Sequence, residues 1–184
     1  GPAWYSREIQ IPAEWKGKDC ILHLERVLWD TQVWVDGKKV EGHEESLTTP
    51  HKYDLTFYLH PGKTQILTIR VDNCKRYDIS TGNLAHAYTN DTQVMWNGIL
   101  GDMYIVAEDK ARIENLQLYP DAASHTVKAI ITLQNSSEET KQINLNLQIK
   151  GKDDGKHYAS AEKQTQAAKG SSIIELTCKL GENA

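Results

Sequence analysis

Val33-Trp34-Val35-Asp36-Gly37-Lys38-Lys39-Val40 is the most informative stretch of this 184-residue chain. Two apolar half-strands flank an Asp-Gly pair. Asp-Gly favours the positive φ angles of a two-residue type I′ turn, whose twist matches that of the antiparallel strands it joins. The stretch therefore predicts a β-hairpin with Asp36 and Gly37 at its tip.

Alternation of apolar and polar residues extends this β pattern along the chain. In 143–149, Ile and Leu alternate strictly with Asn and Gln, and the same period of two recurs in 67–71, 127–133 and 174–178. Each set directs one apolar face inward and one polar face towards water, as half-buried antiparallel strands require. Turn-forming residues separate these segments: Pro61-Gly62, Asn135-Ser136-Ser137, Asp153-Asp154-Gly155 and Lys169-Gly170-Ser171.

The segment 160–168 has a helix-friendly composition, rich in Ala, Glu, Lys and Gln. Its only apolar side chains are alanines, and a short helix without a packing face is marginal in water. We therefore interpret it as a polar edge strand. The whole pattern predicts an all-β fold of two sandwiches, a larger jelly roll followed by a smaller immunoglobulin-like domain.

Composition divides the chain near Glu108-Asp109-Lys110. All five tryptophans lie in the first 96 residues. Residues 1–108 hold 11 Lys and Arg against 15 Asp and Glu, a net charge of −4, whereas residues 109–184 hold 10 of each. We therefore predict one domain over 1–108 and a second over 109–184. The second has only about 75 residues where a seven-stranded sandwich takes about 100, so we expect four or five strands and an unpaired sheet edge near the C-terminus.

The bulk properties exclude several classes of partner. Neither part is basic, so the electrostatic footprint of a nucleic-acid-binding protein is absent. No apolar run approaches the roughly 18 residues of a membrane-spanning helix, and we expect no membrane partner. Cys20, Cys74 and Cys178 are too widely spaced for a disulfide framework or a metal motif, and we interpret them as buried or unreactive thiols.

Five motifs, in order along the chain, resemble the N-terminal part of family two glycoside hydrolases. The hairpin is similar to that family's Val-Trp-Val-Asn-Gly signature, with Asp36 in place of Asn. One departure is Gly101, where many members of the family carry a basic residue. The other four motifs are Ala3-Trp4-Tyr5-Ser6-Arg7 with Ile9, Ile11 and Pro12; Tyr53-Asp54-Leu55-Thr56 with Pro61-Gly62-Lys63; Ile69-Arg70-Val71-Asp72-Asn73; and Trp96-Asn97-Gly98-Ile99-Leu100-Gly101-Asp102.

The resemblance implies a galactose-binding-like jelly roll and an immunoglobulin-like sandwich, which in that family precede a catalytic barrel. The family's catalytic carboxylates lie on the barrel, whose typical length of about 250 residues exceeds this chain. We therefore expect a non-catalytic N-terminal fragment of a glycosidase of the galactosidase, glucuronidase or mannosidase kind. Its expected partners are a carbohydrate (glycoside) substrate and the missing C-terminal catalytic barrel of the same polypeptide. The resemblance alone favours a periplasmic or secreted location.

The residues themselves supply no catalytic motif. Retaining glycoside hydrolysis needs two carboxyl groups roughly 5 Å apart. The adjacent acidic pairs Glu44-Glu45, Glu138-Glu139 and Asp153-Asp154 stand in polar, loop-like sequence, and neighbouring strand residues point to opposite faces. We interpret these pairs as solvated surface charge and expect no catalytic residue and no cofactor.

The histidines and tryptophans fit structural roles. The seven histidines are scattered without metal-ligand spacing, so we expect no metal site. His43, His51 and His60 lie near turns, where we expect them to face solvent or to form local hydrogen bonds. The tryptophans of three predicted strands are expected to be core residues: Trp4, Trp29 and Trp34.

The segment 86–97, His-Ala-Tyr-Thr-Asn-Asp-Thr-Gln-Val-Met-Trp-Asn, is the best candidate for ligand binding. It gathers one carboxylate, several amides and hydroxyls, and two aromatics between strands. Carboxylates and amides hydrogen-bond sugar hydroxyls, and an aromatic face covers the C–H patches of a sugar ring. In the family that the chain resembles, an acidic loop of the sugar-binding domain reaches the barrel and holds the non-reducing sugar. Asp91, seven residues before Gly98, matches the Asp of that loop most closely.

We therefore predict that Asp91 accepts hydrogen bonds from sugar hydroxyls, with Asn97 or Asn90 beside it. The alternative role for Asp91 is to cap its loop by accepting hydrogen bonds from backbone amides. Trp96 is either a platform for the sugar or, as its setting before Asn-Gly favours, a core residue that fixes the base of the loop.

Two other functions remain open. An independent carbohydrate-binding module needs an exposed aromatic platform or a preformed cleft on the jelly roll. A purely structural or adhesive pair of sandwiches would pack 86–97 against the second domain and leave no polar cleft. Calorimetry against sugars separates the module from the enzyme fragment, because a loop that only completes a pocket should bind too weakly to measure alone.

Overall fold

The computed structural model describes residues 1–46, 48–74 and 96–181. The chain forms two compact units, Gly1–Glu108 and Asp109–Ala184. Both units consist of antiparallel strands, so the fold is all-β and sandwich-like as the alternation predicts. No helix in these described ranges is both long and apolar enough to cross a membrane.

The described residues of the first unit form two sheets and one short 3₁₀ helix, Ala13–Trp15. Its strands are β1 (Ala3–Gln10), β2 (Asp19–Leu28), β3 (Asp30–Val35), β4 (Lys38–Lys39), β5 (Glu44–Glu45), β6 (His51–Asp54), β7 (Thr64–Asp72) and β8 (Gly98–Glu108). One sheet has the order β1-β7-β3-β4, with β5 also paired to β3, and the other has the order β6-β2-β8. Strands distant in sequence are neighbours in both sheets, as in jelly-roll sandwiches.

The hairpin forms as predicted. Asp36 and Gly37 have φ angles of +49° and +78°, the sign that a type I′ turn requires at both positions. Val35, directly before the two-residue loop, pairs with Lys38, directly after it. The Asp-Gly pair therefore sets the register of β3 against β4.

The Asp36 carboxylate also ties this turn to the neighbouring strand. It accepts hydrogen bonds from the Ile66 N–H and from Gln65 Nε2, each at 2.7 Å. These bonds, the one from Ile66 first, hold the pKa of Asp36 below its ordinary value. Both carboxylate oxygens therefore act as acceptors at a turn that closes onto β7.

The core of the first unit lies between its two sheets. Leu22 and Leu24 on β2 are buried against the positions of β7 that the alternation assigns to an inner face, Leu67, Ile69 and Val71. Burial of each such side chain contributes roughly 1.5–3 kcal/mol relative to exposure. This packing fixes the sheets on which the candidate site stands.

The core prediction is wrong for Trp4 and fails in part for Trp34. Trp29 is buried as expected, but Trp4 is 58% exposed and Trp34 is partly exposed. Their ring centroids lie 5.1 Å apart. β1 and β3 flank β7, and both indoles stand on the face of this sheet that is directed away from the core. Alternation shows which residues share one face of a strand. The pairing of the strands determines which of the two faces the partner sheet covers.

Residues 109–181, the described part of the second unit, form five strands in two antiparallel sheets. They are β9 (Ala111–Asp121), β10 (Thr126–Asn135), β11 (Lys141–Lys150), β12 (His157–Ala167) and β13 (Gly170–Lys179). The sheet orders are β13-β10-β9 and β11-β12. Of the segment interpreted as a polar edge strand, residues 160–167 lie in β12, one of the two strands of the β11-β12 sheet. In the described part of the chain β13 pairs with β10 along one side only, so a sheet edge is open near the C-terminus.

The core of the second unit again follows the alternation. Inward residues of β10, β11 and β13 meet between the sheets, among them Ile131 and Leu145. The three cysteines are not joined in disulfide bonds, and Cys20 is buried in the first unit and Cys178 in the second. Cys74 is exposed at the end of β7.

Candidate functional site

The structure describes two of the four predicted sugar-binding residues. Asp91 and Asn90 lie outside the described residues. Trp96 is partly buried and stands apart from the hydrophobic cluster that the described residues of the first unit form. Asn97 is exposed and directly precedes β8. The predicted roles of all four residues therefore remain proposals.

Hydrogen bonds join the end of β7 to the start of β8. Asn73 Nδ2 donates to the Trp96 carbonyl at 3.0 Å, and Asn97 Nδ2 donates to the Gly1 carbonyl at 2.5 Å. The ammonium group of Gly1 donates to Asn73 Oδ1 at 3.4 Å. The chain thus leaves β7 and enters β8 at one end of the unit, and we refer to these hydrogen bonds as the closure. The amide nitrogen of Asn97 already donates one of the bonds of this closure.

A charged cluster stands beside this closure, on β7 and β3. Asp72 accepts hydrogen bonds from Arg70 Nη2 at 2.5 Å and from the Cys74 N–H at 3.0 Å. The Cys74 thiol and N–H, ahead of Arg70, hold the pKa of Asp72 below its ordinary value. Arg70 Nη1 lies 3.5 Å from Oδ1 of Asp30, which is 1% exposed, and Oδ2 of Asp30 contacts His43 Nε2. Arg70 therefore links two carboxylates on adjacent strands.

A buried polar network lies next to the charged cluster and is centred on Thr31. The Thr31 hydroxyl lies 2.7 Å from His51 Nδ1 and 2.9 Å from the Tyr53 hydroxyl. Tyr53 donates to the Thr31 carbonyl at 2.5 Å, and its oxygen accepts a hydrogen bond from the Glu44 N–H at 3.1 Å. Burial raises the pKa of Tyr53. The network therefore joins β3, β5 and β6.

Of the two settings expected for His51, solvent exposure is wrong and a local hydrogen bond, to Ser46, is present. Its side chain is 0% exposed, because β6 pairs with β2 and brings His51 opposite Leu24. Its Nε2 lies 3.4 Å from the Ser46 carbonyl. Burial lowers the pKa of His51 below the ordinary value of 6.5. His43 is half exposed and His60 is exposed, as expected.

We expect the first unit to lose stability as the pH falls below about 6.5. The buried neutral His51 binds a proton less readily than it does in the unfolded chain, so its contribution is complete above that pH and is lost on acidification. Thermal unfolding followed by tryptophan fluorescence from about pH 8 to about pH 5.5 measures the effect. His51→Asn cannot titrate and should give a flatter profile than the control His60→Asn. Equal profiles for the two variants would contradict the assignment to His51.

The acidic pairs differ from one another in setting. Glu44-Glu45 is not a loop: it forms β5, pairs with Asp30 and Thr31 of β3, and is partly buried. A two-residue strand is too short to leave an alternation signal, which is why the loop-like interpretation is wrong there. Glu138-Glu139 and Asp153-Asp154 are exposed, as interpreted.

A groove of about 620 Å³ opens between β1 and β8, which are edge strands of the two sheets of the first unit. Aromatic and apolar side chains line it, among them Tyr5, Trp15, Met103 and Tyr104, together with the guanidinium-bearing Arg7. The sequence pattern gives no sign of this groove, because it arises where two strands distant in sequence border the same opening.

Gly101, which departs from the pattern of the family that the chain resembles, has a φ of +74°. A Cβ atom at this position would overlap the Glu25 carboxylate. That carboxylate accepts a hydrogen bond from the Asp102 N–H at 2.7 Å, next to a register shift between β2 and β8. A basic side chain therefore does not fit this backbone without rearrangement.

The first unit matches a known family over nearly its whole length. Residues 1–107 match the family model described as glycosyl hydrolases family 2, sugar binding domain. The chain belongs to this family. A beta-galactosidase of Thermoanaerobacter pseudethanolicus is 28% identical to this family 2 chain over 107 residues, which are 56% of the chain and 14% of that relative. A beta-glucuronidase of Formosa agariphila is 26% identical over 153 residues, which are 81% of the chain and 15% of that relative.

Solved family 2 structures share the fold over nearly the whole chain. A glycosyl hydrolase family 2 member from Bacteroides cellulosilyticus gives a TM-score of 0.81 at 18% identity, covering 98% of this chain and 24% of that one. A beta-glucuronidase from Bacteroides uniformis gives 0.80 at 20% identity, covering 97% of this chain and 22% of that one. The family 2 chain therefore spans about a quarter or less of these proteins.

Proposed function

We propose that the chain is the N-terminal, non-catalytic part of a family 2 glycoside hydrolase, where it supports the catalytic barrel and contributes 86–97 to the sugar pocket. The observation that carries this proposal is the match of residues 1–107 to the sugar binding domain of the family, in a chain that spans 14% and 15% of two curated relatives. The substrate is a glycoside, and the barrel that cleaves it belongs to the same polypeptide.

The hydrogen bonds of the described residues support the proposal that both ends of the chain segment around 86–97 are held in place. Asn73 bonds the Trp96 carbonyl and thereby holds the two ends of the β7–β8 connection together. A short, hydrogen-bonded base reduces the conformational freedom that sugar binding would otherwise remove from the segment. In this proposal Asp91 accepts hydrogen bonds from sugar hydroxyls, with Asn90 or Asn97 beside it and Trp96 at the base.

We expect the isolated chain to release no p-nitrophenol from p-nitrophenyl β-galactoside, β-glucuronide or β-mannoside. The two carboxyl groups that glycoside hydrolysis needs would reside on the barrel. A longer polypeptide, in which this chain is followed by that barrel, should cleave at least one of the three substrates and serves as the positive control. Hydrolysis by the 184-residue chain alone would overturn the assignment.

An independent carbohydrate-binding module is the second candidate, and the exposed aromatics favour it. Trp4 is 58% exposed beside Trp34, and the aromatic groove between β1 and β8 is preformed. In isothermal titration calorimetry of the isolated chain, this candidate predicts measurable heat with oligosaccharides that is lost in Trp4→Ala. The leading proposal predicts no measurable heat with simple sugars or polysaccharides.

A further inference from the structure

Three carboxylates stand in one row across three strands of the first unit. Asp30 of β3 lies directly opposite Asp72 of β7 on one side and directly opposite Glu45 of β5 on the other. Like charges directly opposite each other on adjacent strands are destabilising. Asp30 is also 1% exposed, so water does little to screen its charge. The carboxylates of the row are therefore stabilised by cationic partners.

Arg70 is one cationic partner of this row. Its guanidinium reaches Oδ1 of Asp30 at 3.5 Å and Oδ2 of Asp72 at 2.5 Å. On the other side, Oδ2 of Asp30 faces His43 Nε2, and Glu45 has no cationic partner among the described residues. Glu45 is therefore the carboxylate of the row to which the described residues bring no cationic side chain.

The ligand atoms on this second side are close enough to share one ion. One oxygen of Asp30, one ring nitrogen of His43 and one oxygen of Glu45 all lie within 4.8 Å of one another. One imidazole nitrogen and two carboxylate oxygens form a donor set that zinc accepts, at about 2.0–2.2 Å per ligand with water in the fourth position. Magnesium prefers about six oxygen ligands and retains most of its water, so this set suits it poorly.

We propose that Asp30, His43 and Glu45 bind a divalent transition-metal ion of the zinc class. The ion takes the place of the direct contact between His43 and Asp30 and neutralises Glu45, the carboxylate of the row that Arg70 does not reach. It joins β5 and the turn before it to β3, so its role is to stabilise this edge of the sheet. The site uses none of the four residues proposed for the sugar pocket. It is invisible as a linear motif because β5 meets Asp30 only through strand pairing.

The test is the melting temperature of the 184-residue chain, first treated with EDTA and then titrated with zinc chloride. Zinc that binds the folded chain should raise the melting temperature in a saturable way, and magnesium chloride should not. His43→Ala and Glu45→Gln should each weaken the apparent zinc affinity by about tenfold or more. The matched controls His157→Ala, an exposed histidine of the second unit, and Glu41→Gln, an exposed neighbour, should behave like the unsubstituted chain.

Cobalt binding by the unsubstituted chain gives a readout that does not depend on how the variants fold. A three-ligand site with one nitrogen should give visible absorption bands with cobalt chloride, and zinc should abolish them. No zinc-dependent change in melting temperature, no cobalt bands, or equal zinc affinity in His43→Ala would each overturn the proposal. In those cases His43 acts only as a hydrogen-bond partner of Asp30.

Discussion

Replacing Asp91 by alanine in a family 2 glycoside hydrolase that contains this chain should lower kcat/KM by about tenfold or more, because a hydrogen bond to a charged group contributes about 1.5–3 kcal/mol. The lost interaction is the one we propose between the Asp91 carboxylate and sugar hydroxyls. A rise in KM at constant kcat would mean that Asp91 holds the sugar equally in the ground and transition states. A fall in kcat would mean that its hydrogen bonds strengthen as the reaction proceeds.

The control separates sugar binding from loop capping. Asp153→Ala removes an exposed carboxylate from a turn of the second unit and should leave the kinetics unchanged. Asp91→Asn keeps one acceptor oxygen and should fall between alanine and the unsubstituted enzyme. If Asp91 only caps its loop, Asp91→Ala lowers the melting temperature while kcat/KM keeps its original value, and that result would remove Asp91 from the sugar pocket.

The parts of the fold that depend on neighbouring residues are readable from the sequence. Asp36-Gly37 predicts its turn because the preference for positive φ belongs to those two residues alone. The alternation in 127–133 and 143–149 predicts two strands because the side-chain period of a strand is local. These signals suffice for an all-β assignment and for the inner faces of long strands.

The parts that depend on strand pairing are not readable in this way. Trp4 and Trp34 become outer-face neighbours only because β1 and β3 both flank β7. His51 is buried because β6 pairs with β2, although its sequence setting after a Thr-Pro turn suggests exposure. Hydrophobicity of a single residue is therefore a poor guide to which sheet face is covered by the partner sheet.

The two candidate sites differ in the same respect: one is visible in the linear sequence and the other depends on strand pairing. Asp91 is chosen by its spacing from Gly98 and by family resemblance, which are both properties of the linear sequence. Asp30 and Glu45 are 15 positions apart and belong to a strand and to a two-residue pairing segment, so their direct opposition follows only from the register of β3 with β5. A search of sequences for ligand spacing therefore finds the first kind of site and misses the second.

Asn135 should be among the most sensitive polar positions of the second unit. It is 0% exposed at the end of β10, and its Nδ2 donates to the carbonyls of Glu139 at 2.8 Å and Ala167 at 2.9 Å. Its Oδ1 accepts hydrogen bonds from the N–H and hydroxyl of Ser137 at 3.0 and 2.7 Å. The single side-chain amide of Asn135 thus forms hydrogen bonds with backbone groups of a turn and of the edge strand β12.

Asn135→Ala is expected to lower the free energy of unfolding of the second unit by about 2–4 kcal/mol, because it leaves several partners unsatisfied, including the carbonyl of the buried Ala167. Urea unfolding followed by circular dichroism measures the loss. Asn144→Ala, an exposed asparagine of β11 in the same unit, should change stability by no more than about 0.5 kcal/mol. Tryptophan fluorescence reports the first unit alone, since all five tryptophans lie in the first 96 residues. A loss under about 1 kcal/mol in Asn135→Ala would show that water replaces the amide at these carbonyls and that the turn does not depend on it.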